Sequence, residues 1–537
     1  MRKIFNFLVL TAVLILILSS IITAAEYGGN LKIRVLQKPL TLNPIYAVDE
    51  ISKLINAQIF ENLVSYNSSG QLEPELAESW QIQEDAQTVI INLRNDIYFH
   101  EKIKNSQSQN KSRNVTAEDW KWSLNYLADP ENKSPYAYIL EDIEGYEDYR
   151  SGKSEQLEGI TQLSKYTLEI SLKRANALFI YNLAHPAAAV MPKEDVENNN
   201  LTWSLNPVGT GAFYLNSYQG NRLKLKKNSS YWEYSEENKL PYLEEITLYF
   251  TDQTAETVYN PEDFDLYKVD SEEYEIYKNE RLIPEGYRLI KIPESRLYYY
   301  GFDFSAVEEN NINNQNRELR KLLNCLVDSE EIIDNLNINN YIAQEKYIFS
   351  KAEEKYSRET EKCRELINDL KNQSNLKLKL AVNNKDFNIQ VAEEVKKQLS
   401  QFNIELEIEV LSWTKYLDNI NSNNGNYDLF LQSSDIYNIF KYLRENFYSN
   451  GIEDKSNIYN YQNDRLNYLL DYLVIESSLE KRNRAYSLIN NIIQSDIPAL
   501  YLFQGAESYL IDEDINNTEE FNNFYRKDQF KYIHFGE

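Results

Sequence analysis

The stretch Leu376–Val410, LKLKLAVNNKDFNIQVAEEVKKQLSQFNIELEIEV, decides the fold class. Leu376, Leu378 and Leu380 alternate with the period of a half-buried strand. Ile389, Ala392, Val395, Leu399 and Phe402 then follow helical spacing for about four turns. Ile404, Leu406, Ile408 and Val410 alternate again. A strand, a helix and a strand in this order predict a βαβ unit, with parallel strands and a right-handed crossover. Tyr427–Leu431 (YDLFL) adds a further strand. The chain then reads as helical over Arg465–Val474 and Arg482–Ile493, before Ile497–Leu502 (IPALYL) returns as a strand.

The same periodicities organise what comes before. A chain of 537 residues exceeds a single core and predicts two or more domains. Asn30–Val35 reads as a strand. Ile51–Leu63 reads as a helix, with Ile51, Leu54, Ile55, Ile59 and Leu63 on one face. Val89, Ile91 and Leu93 alternate, as do Leu168, Ile170 and Leu172. Thr116 as N-cap and Asp119 as its capping-box partner open a helix through Leu127. Asn206–Trp232, NPVGTGAFYLNSYQGNRLKLKKNSSYW, predicts a hairpin turning at Asn221, with Lys224, Lys226 and Lys227 on its wet face. Pro207, Gly209 and Gly211 ahead of it predict a tight turn. Arg317–Val327 carries a helical stripe of Leu319, Leu322, Leu323 and Leu326. No internal repeat is present.

Composition excludes several functions. Lys+Arg 56 against Asp+Glu 83 gives a net charge of −27, a field that repels nucleic acid and anionic lipid headgroups. The two cysteines, Cys325 and Cys363, make neither a disulfide framework nor a thiolate metal site. Cys325 is expected to be a buried small hydrophobe, with a Cys325–Cys363 bond as the alternative. His100, His185 and His534 have no ligand spacing, so no bound metal or other cofactor is expected. No G-x-S-x-G elbow, P-loop, HExxH or CxxC occurs, and carboxylate pairs arise by chance among 83 acids.

At the N-terminus, Arg2 and Lys3 precede an uncharged apolar run, Ile4–Ile22, and the small residues Thr23-Ala24-Ala25. This pattern predicts a secretory signal over residues 1–25, with an uncleaved membrane anchor as the alternative. No cysteine stands near the cleavage point to accept a lipid.

Short phrases in fixed order add a resemblance. They are Thr41-Leu42-Asn43-Pro44, Phe60-Glu61-Asn62-Leu63, Pro74–Trp80 (PELAESW), Asp129–Tyr138 (DPENKSPYAY), His185-Pro186 with Met191-Pro192-Lys193, Pro207–Phe213 (PVGTGAF), Tyr231-Trp232, Tyr298–Asp303 (YYYGFD) and Ser412–Leu417 (SWTKYL). Together the chain resembles the extracytoplasmic solute-binding proteins of family 5 that serve ABC importers, and most of all the oligopeptide-binding branch, whose members carry D-P-x-x-x-S-P-Y-A. It departs from the pattern at Glu101-Lys102, where the family has D-G after F-H.

The resemblance implies a two-lobed α/β fold of the periplasmic-binding-protein type (type II, cluster C) with an extra subdomain in the first lobe. Residues 26–65, 205–288 and 500–537 would form the core of lobe I, 66–204 its extra subdomain and 289–499 lobe II. It implies an oligopeptide ligand enclosed between the lobes, a permease partner, a monomer, a periplasmic or extracellular location and no catalysis. By the same resemblance Asp435 stands where the family places the carboxylate that pairs with a peptide's α-amine, although the family tryptophan before it is Gln432 here. Trp413 and Tyr136 match residues that line the cleft, and Tyr299 and Tyr501 lie on strands expected to face it. Packing roles are the alternative for each ring, and a helix N-cap for Asp435. The alternatives for the whole chain are a relative binding a sugar oligomer or metal chelate, a secreted peptide or glycan hydrolase, and a receptor for peptide pheromones.

Overall fold

The computed structural model describes residues 27–67, 70–101, 113–235, 237–251, 259–304, 317–343, 361–370, 376–422, 427–436, 438–449, 457, 459–518 and 530–536. The predicted signal segment and residues 102–112 lie outside them.

Lobe I starts with β1 (Asn30–Val35) and α1 (Glu50–Ile59), the latter capped by Asp49, whose side chain accepts from the Ser52 N–H. The helix stops short of the expected Leu63 because Phe60 takes an extended backbone, φ −119° and ψ 152°. Next come β2 (Ala77–Ile82), β3 (Thr88–Leu93), α2 (Ala117–Ala128), β4 (Ile160–Ser164) and β5 (Thr167–Ser171). These strands form an antiparallel sheet in the order β2-β3-β5-β4. The capping box at Thr116 and Asp119 is present. The expected hairpin is β6 (Phe213–Gln219) with β7 (Arg222–Lys227), and Gly220 at its turn has φ +60°. β8 (Glu245–Phe250), β9 (Leu266–Val269) and α3 (Ser271–Tyr277) complete the lobe.

β10 (Tyr287–Phe302) carries the chain into lobe II. There follow α4 (Arg317–Leu326), β11 (Tyr341–Ala343), α5 (Glu361–Leu370), β12 (Leu376–Asn383), α6 (Asp386–Ser400), β13 (Ile404–Leu411), α7 (Trp413–Ser422) and β14 (Leu429–Asp435). α8 (Ile439–Phe447), α9 (Asp464–Ile475) and α10 (Leu479–Asp496) precede β15 (Ala499–Asp512), which returns to lobe I. The βαβ unit is as expected: β12 and β13 are parallel, with Leu376 opposite Ile404. β13 is an edge strand, and its exposed Glu405, Glu407 and Glu409 place charge along an edge that could otherwise pair with another chain. Val410 is 47% exposed and Leu411 is buried in its place, so the predicted alternation ends one residue early.

One sheet runs through both lobes in the order β13-β12-β14-β10-β15-β9-β1-β8-β7-β6, with β11 pairing β15. β10 and β15 are the two crossings, and their antiparallel register shifts between Pro293 and Leu297. Apolar side chains on either side of these crossings gather in two large clusters. One unites β1, α1 and the β2–β5 layer; the other surrounds β12, α6 and α8–α10. The β2–β5 layer therefore shares the core of lobe I.

Two expectations need correction. Cys325 and Cys363 form a disulfide that ties α4 to α5, with Cα atoms 5.7 Å apart. The burial expected for Cys325 also holds for Cys363, which faces α4 inside the second cluster. Gly209 and Gly211 do not form a positive-φ turn. They are small because the chain presses on the end of α1: a Cβ at Gly209 would lie 1.9 Å from the Ile59 carbonyl oxygen, and one at Gly211 would lie 2.3 Å from that of Gln58. His100 bridges this contact. Its Nδ1 accepts from the Gly209 N–H at 3.3 Å, which leaves Nε2–H to donate to the Gly211 carbonyl at 2.9 Å. Burial pulls its pKa down to about 4, so the ring is neutral at pH 7.

Candidate ligand-binding site

Strand direction locates the site. β12 runs parallel to both β13 and β14, so the carboxyl ends of all three lie on one edge of lobe II. In lobe I, β1 runs parallel to β8 and β9, and their carboxyl ends also form one edge. β10 and β15 join the two halves: Val269 at the end of β9 faces Ser508, and Asp435 at the end of β14 faces Arg296. The register shift at Pro293–Leu297 falls between these levels. Both carboxyl edges thus open toward the same crossing, the place where α/β sheets hold ligands.

On the lobe II side, α6, α7 and α8 begin just beyond β12, β13 and β14. Trp413 is the first residue of α7 and is 53% exposed, with one ring face stacked on Tyr416 at 6.0 Å. Tyr416 is itself fixed, since its hydroxyl donates to the Leu431 carbonyl of β14. Asp435 closes β14 and is not a helix N-cap; Asn438 caps α8 through the Lys441 N–H.

On the lobe I side, the loop Ile45–Val48 follows β1, and Val48 is 51% exposed. The SPYA segment holds this loop from below. Ser134 Oγ donates to the Ile45 carbonyl at 2.7 Å, and Tyr136 OH donates to the Ala47 carbonyl at 2.9 Å. The Tyr136 ring lies 4.4 Å from that of His185, and burial pushes its hydroxyl pKa up. Two residues on, Tyr138 is half exposed and carries Lys441 of α8 over its ring at 5.6 Å, a contact between the lobes.

Tyr299 and Tyr501 depart from the expectation that they face the cleft. They are 1% and 2% exposed, and with Tyr442 and Tyr459 they form a buried tyrosine cluster under α8. The physical reason is that α8, through Tyr442, and Tyr459 pack over this part of β10 and β15, so these rings point into packing. Gly301 permits the cluster, because a Cβ there would lie 1.8 Å from the Tyr459 ring. Tyr299 OH shares a hydrogen bond with Ser434 Oγ at 2.8 Å, receives one from Tyr459 OH and donates to Asn446 Oδ1 at 3.2 Å. It therefore braces the strand end that carries Asp435.

Trp413 and Asp435 thus stand at strand ends of lobe II and Tyr136 braces the loop after β1 in lobe I, while Tyr299 and Tyr501 are buried. Sequence reasoning missed Arg296, exposed on β10 directly across from Asp435, as well as Lys441 and Tyr138. For Arg296 a signal existed: it stands two residues before the Tyr298–Asp303 phrase.

A two-lobed α/β chain with two adjacent strand crossings and an opening at facing carboxyl edges defines a binding protein of the periplasmic type. The chain belongs to the bacterial extracellular solute-binding proteins of family 5, whose model (the "Middle" region) matches residues 71–453. It is 22% identical over 546 aligned residues to the oligopeptide-binding protein OppA of Bacillus subtilis strain 168, covering 94% of this chain and 95% of that one. The fold is similar to that of the unliganded open form of the periplasmic murein tripeptide binding protein MppA, with a TM-score of 0.77 at 20% identity, covering 96% and 99% of the two chains. It is also similar to a nickel ABC transporter protein from Bacillus halodurans, with a TM-score of 0.69 at 19% identity, covering 92% and 98%. Among the described residues no helix is long and apolar enough to cross a membrane.

Proposed function

We propose that this chain captures oligopeptides between its lobes and hands them to the permease of an ABC importer, without catalysis of its own. Residues 26–65, 205–288 and 500–537 act as lobe I, 66–204 as its subdomain and 289–499 as lobe II, rocking about the β10 and β15 crossings. The observation that supports this most is the grouping at the carboxyl edge of lobe II. There Asp435 ends β14 across from Arg296, and exposed Trp413 follows β13 on the same edge, with β12 between them. A carboxylate beside an enclosed cleft can neutralise a peptide α-amine, which is costly to desolvate unpaired. The peptide backbone offers the same N–H and C=O groups in every sequence, and water adapts to varied side chains. An aromatic ring such as Trp413 adds apolar contact without selecting one sequence.

The protein acts as a monomer outside the cytoplasm, released by its N-terminal segment or held by it. The test is thermal unfolding of ligand-free mature protein with a mixed di- to octapeptide pool, followed by mass spectrometry of what stays bound. Peptide at a few hundred times its dissociation constant adds about 3 kcal/mol and raises Tm measurably. Retention of intact peptides is the expected result. No shift and no retained peptide would turn the assignment to a sugar oligomer or metal chelate, and shortened peptides would turn it to hydrolysis.

A further inference from the structure

A second polar chamber lies in lobe I, between the end of α1, the β2–β5 layer and the C-terminal segment. Its volume is about 120 Å³, well above the roughly 10–15 Å³ that one water needs. Two carboxylates, Glu61 and Glu75, line it together with one ammonium, Lys531. Lys531 Nζ pairs with Glu233, and also donates to Tyr231 OH at 3.3 Å. Glu61 and Glu75 both line the chamber, and among the described residues neither makes an ion pair of its own. Glu61 Oε1 accepts from Tyr231 OH at 2.7 Å and Trp232 Nε1 at 2.9 Å, while Oε2, also buried, accepts no hydrogen bond. The Thr210 hydroxyl lies against the same carboxylate without completing a hydrogen bond to it. Glu75 Oε2 accepts only from the Asn62 N–H, at 3.0 Å.

Asn56 supplies a separate observation. It lines the same chamber, is 2% exposed, and among the described residues neither its amide oxygen nor its amide nitrogen has a partner. A buried amide with both ends unmatched is costly, so such groups normally meet water or an ion.

We infer that this chamber binds a hydrated monovalent metal cation, sodium or potassium, through Glu61 Oε2, the Asn56 amide oxygen and the Glu75 carboxylate. The donors are all oxygens, which suits hard cations. Glu61 and Glu75, once ionised, supply the charge complement. Water fills the remaining coordination and receives the Asn56 N–H groups. A divalent ion is disfavoured because it demands six or more closely placed oxygens, and half of the remaining wall is apolar, with Ala57, Phe60 and Ala184. The ion would join α1 to the C-terminal segment that carries Lys531.

The test is thermal unfolding of the mature protein in tetramethylammonium chloride, replaced stepwise by sodium or potassium chloride at constant ionic strength. The expected result is a saturable Tm rise of about 2–4 °C with a small cation. Asn56→Leu and Glu61→Gln are each expected to abolish the rise while the peptide-induced shift remains. Equal Tm in all three salts overturns the inference, as does a rise that survives in both variants. If the variants do not fold, ²³Na line broadening by the wild-type protein decides: broadening reversed by potassium supports the site, and none overturns it.

Discussion

Asp435 and Trp413 make the sharpest claims of single residues. Replacing Asp435 by alanine should weaken peptides with free N-termini about tenfold or more, and N-acetylated peptides much less. Calorimetric titration of matched pairs checks this, and equal losses would remove Asp435 from the site. Trp413→Ala should abolish most of the fluorescence change on peptide binding, since this ring is exposed at the opening. The sequence marked both positions because each follows a strand in a recognisable phrase. It misplaced Tyr299 and Tyr501 for a definable reason. Alternation along a strand separates two faces, but it does not say that α8 and its tyrosines cover the face in question. Arg296 was missed for the converse reason, because only the β10–β14 register brings it beside Asp435.

At the scale of elements, local periodicity was a good guide where the pattern was long. The βαβ unit at 376–410 is present with its predicted helix, because apolar residues there follow one period at a time. Boundaries set by tertiary contact were not legible. α1 ends at Ile59 where the PVGTG segment docks, and β15 extends to Asp512 because it pairs with β9 and β10 across the crossing. The docking makes a prediction. Gly209→Ala puts a methyl group against the Ile59 carbonyl and should cost about 3 kcal/mol in denaturant unfolding. Unchanged stability would mean that α1 can draw back freely. The Cys325–Cys363 bond stood in the sequence only as the alternative reading, since 38 residues separate cysteines that packing brings together.

The molecule as a whole carries a pH dependence that composition could not foretell. Burial pushes Glu61 up to about 7, and burial with the neighbouring Glu61 charge pushes Glu75 up to about 8. Both carboxyls hold protons in the folded state that the unfolded chain has released, so they favour folding at low pH and lose that contribution as pH rises toward 8. His100 acts in the opposite sense, but only below its unfolded value near 6.5, because its folded pKa is depressed. Glu233 is held below the usual carboxylate range; although burial alone would raise it, Lys531, Tyr532 and Tyr231 together prevail, so its contribution is lost only in acid. Between about pH 6.5 and 8 the two raised carboxyls dominate this group, and in a buffer without small cations stability should fall by about 1 kcal/mol or more. Glu75→Gln, which mimics the protonated form, should flatten that slope, as urea unfolding across this range would reveal.

Enclosure of a peptide between the lobes requires rotation about the β10 and β15 crossings. The most direct measurement is the distance between spin labels at exposed Leu205 of lobe I and exposed Tyr468 of lobe II, by pulsed electron resonance, with and without the peptide pool. The expected result is a saturable shift of more than about 2 Å in the distance distribution, absent with free amino acids. Peptide bound with no shift, or a shift that Asp435→Ala and Trp413→Ala together leave intact, would contradict capture at this opening.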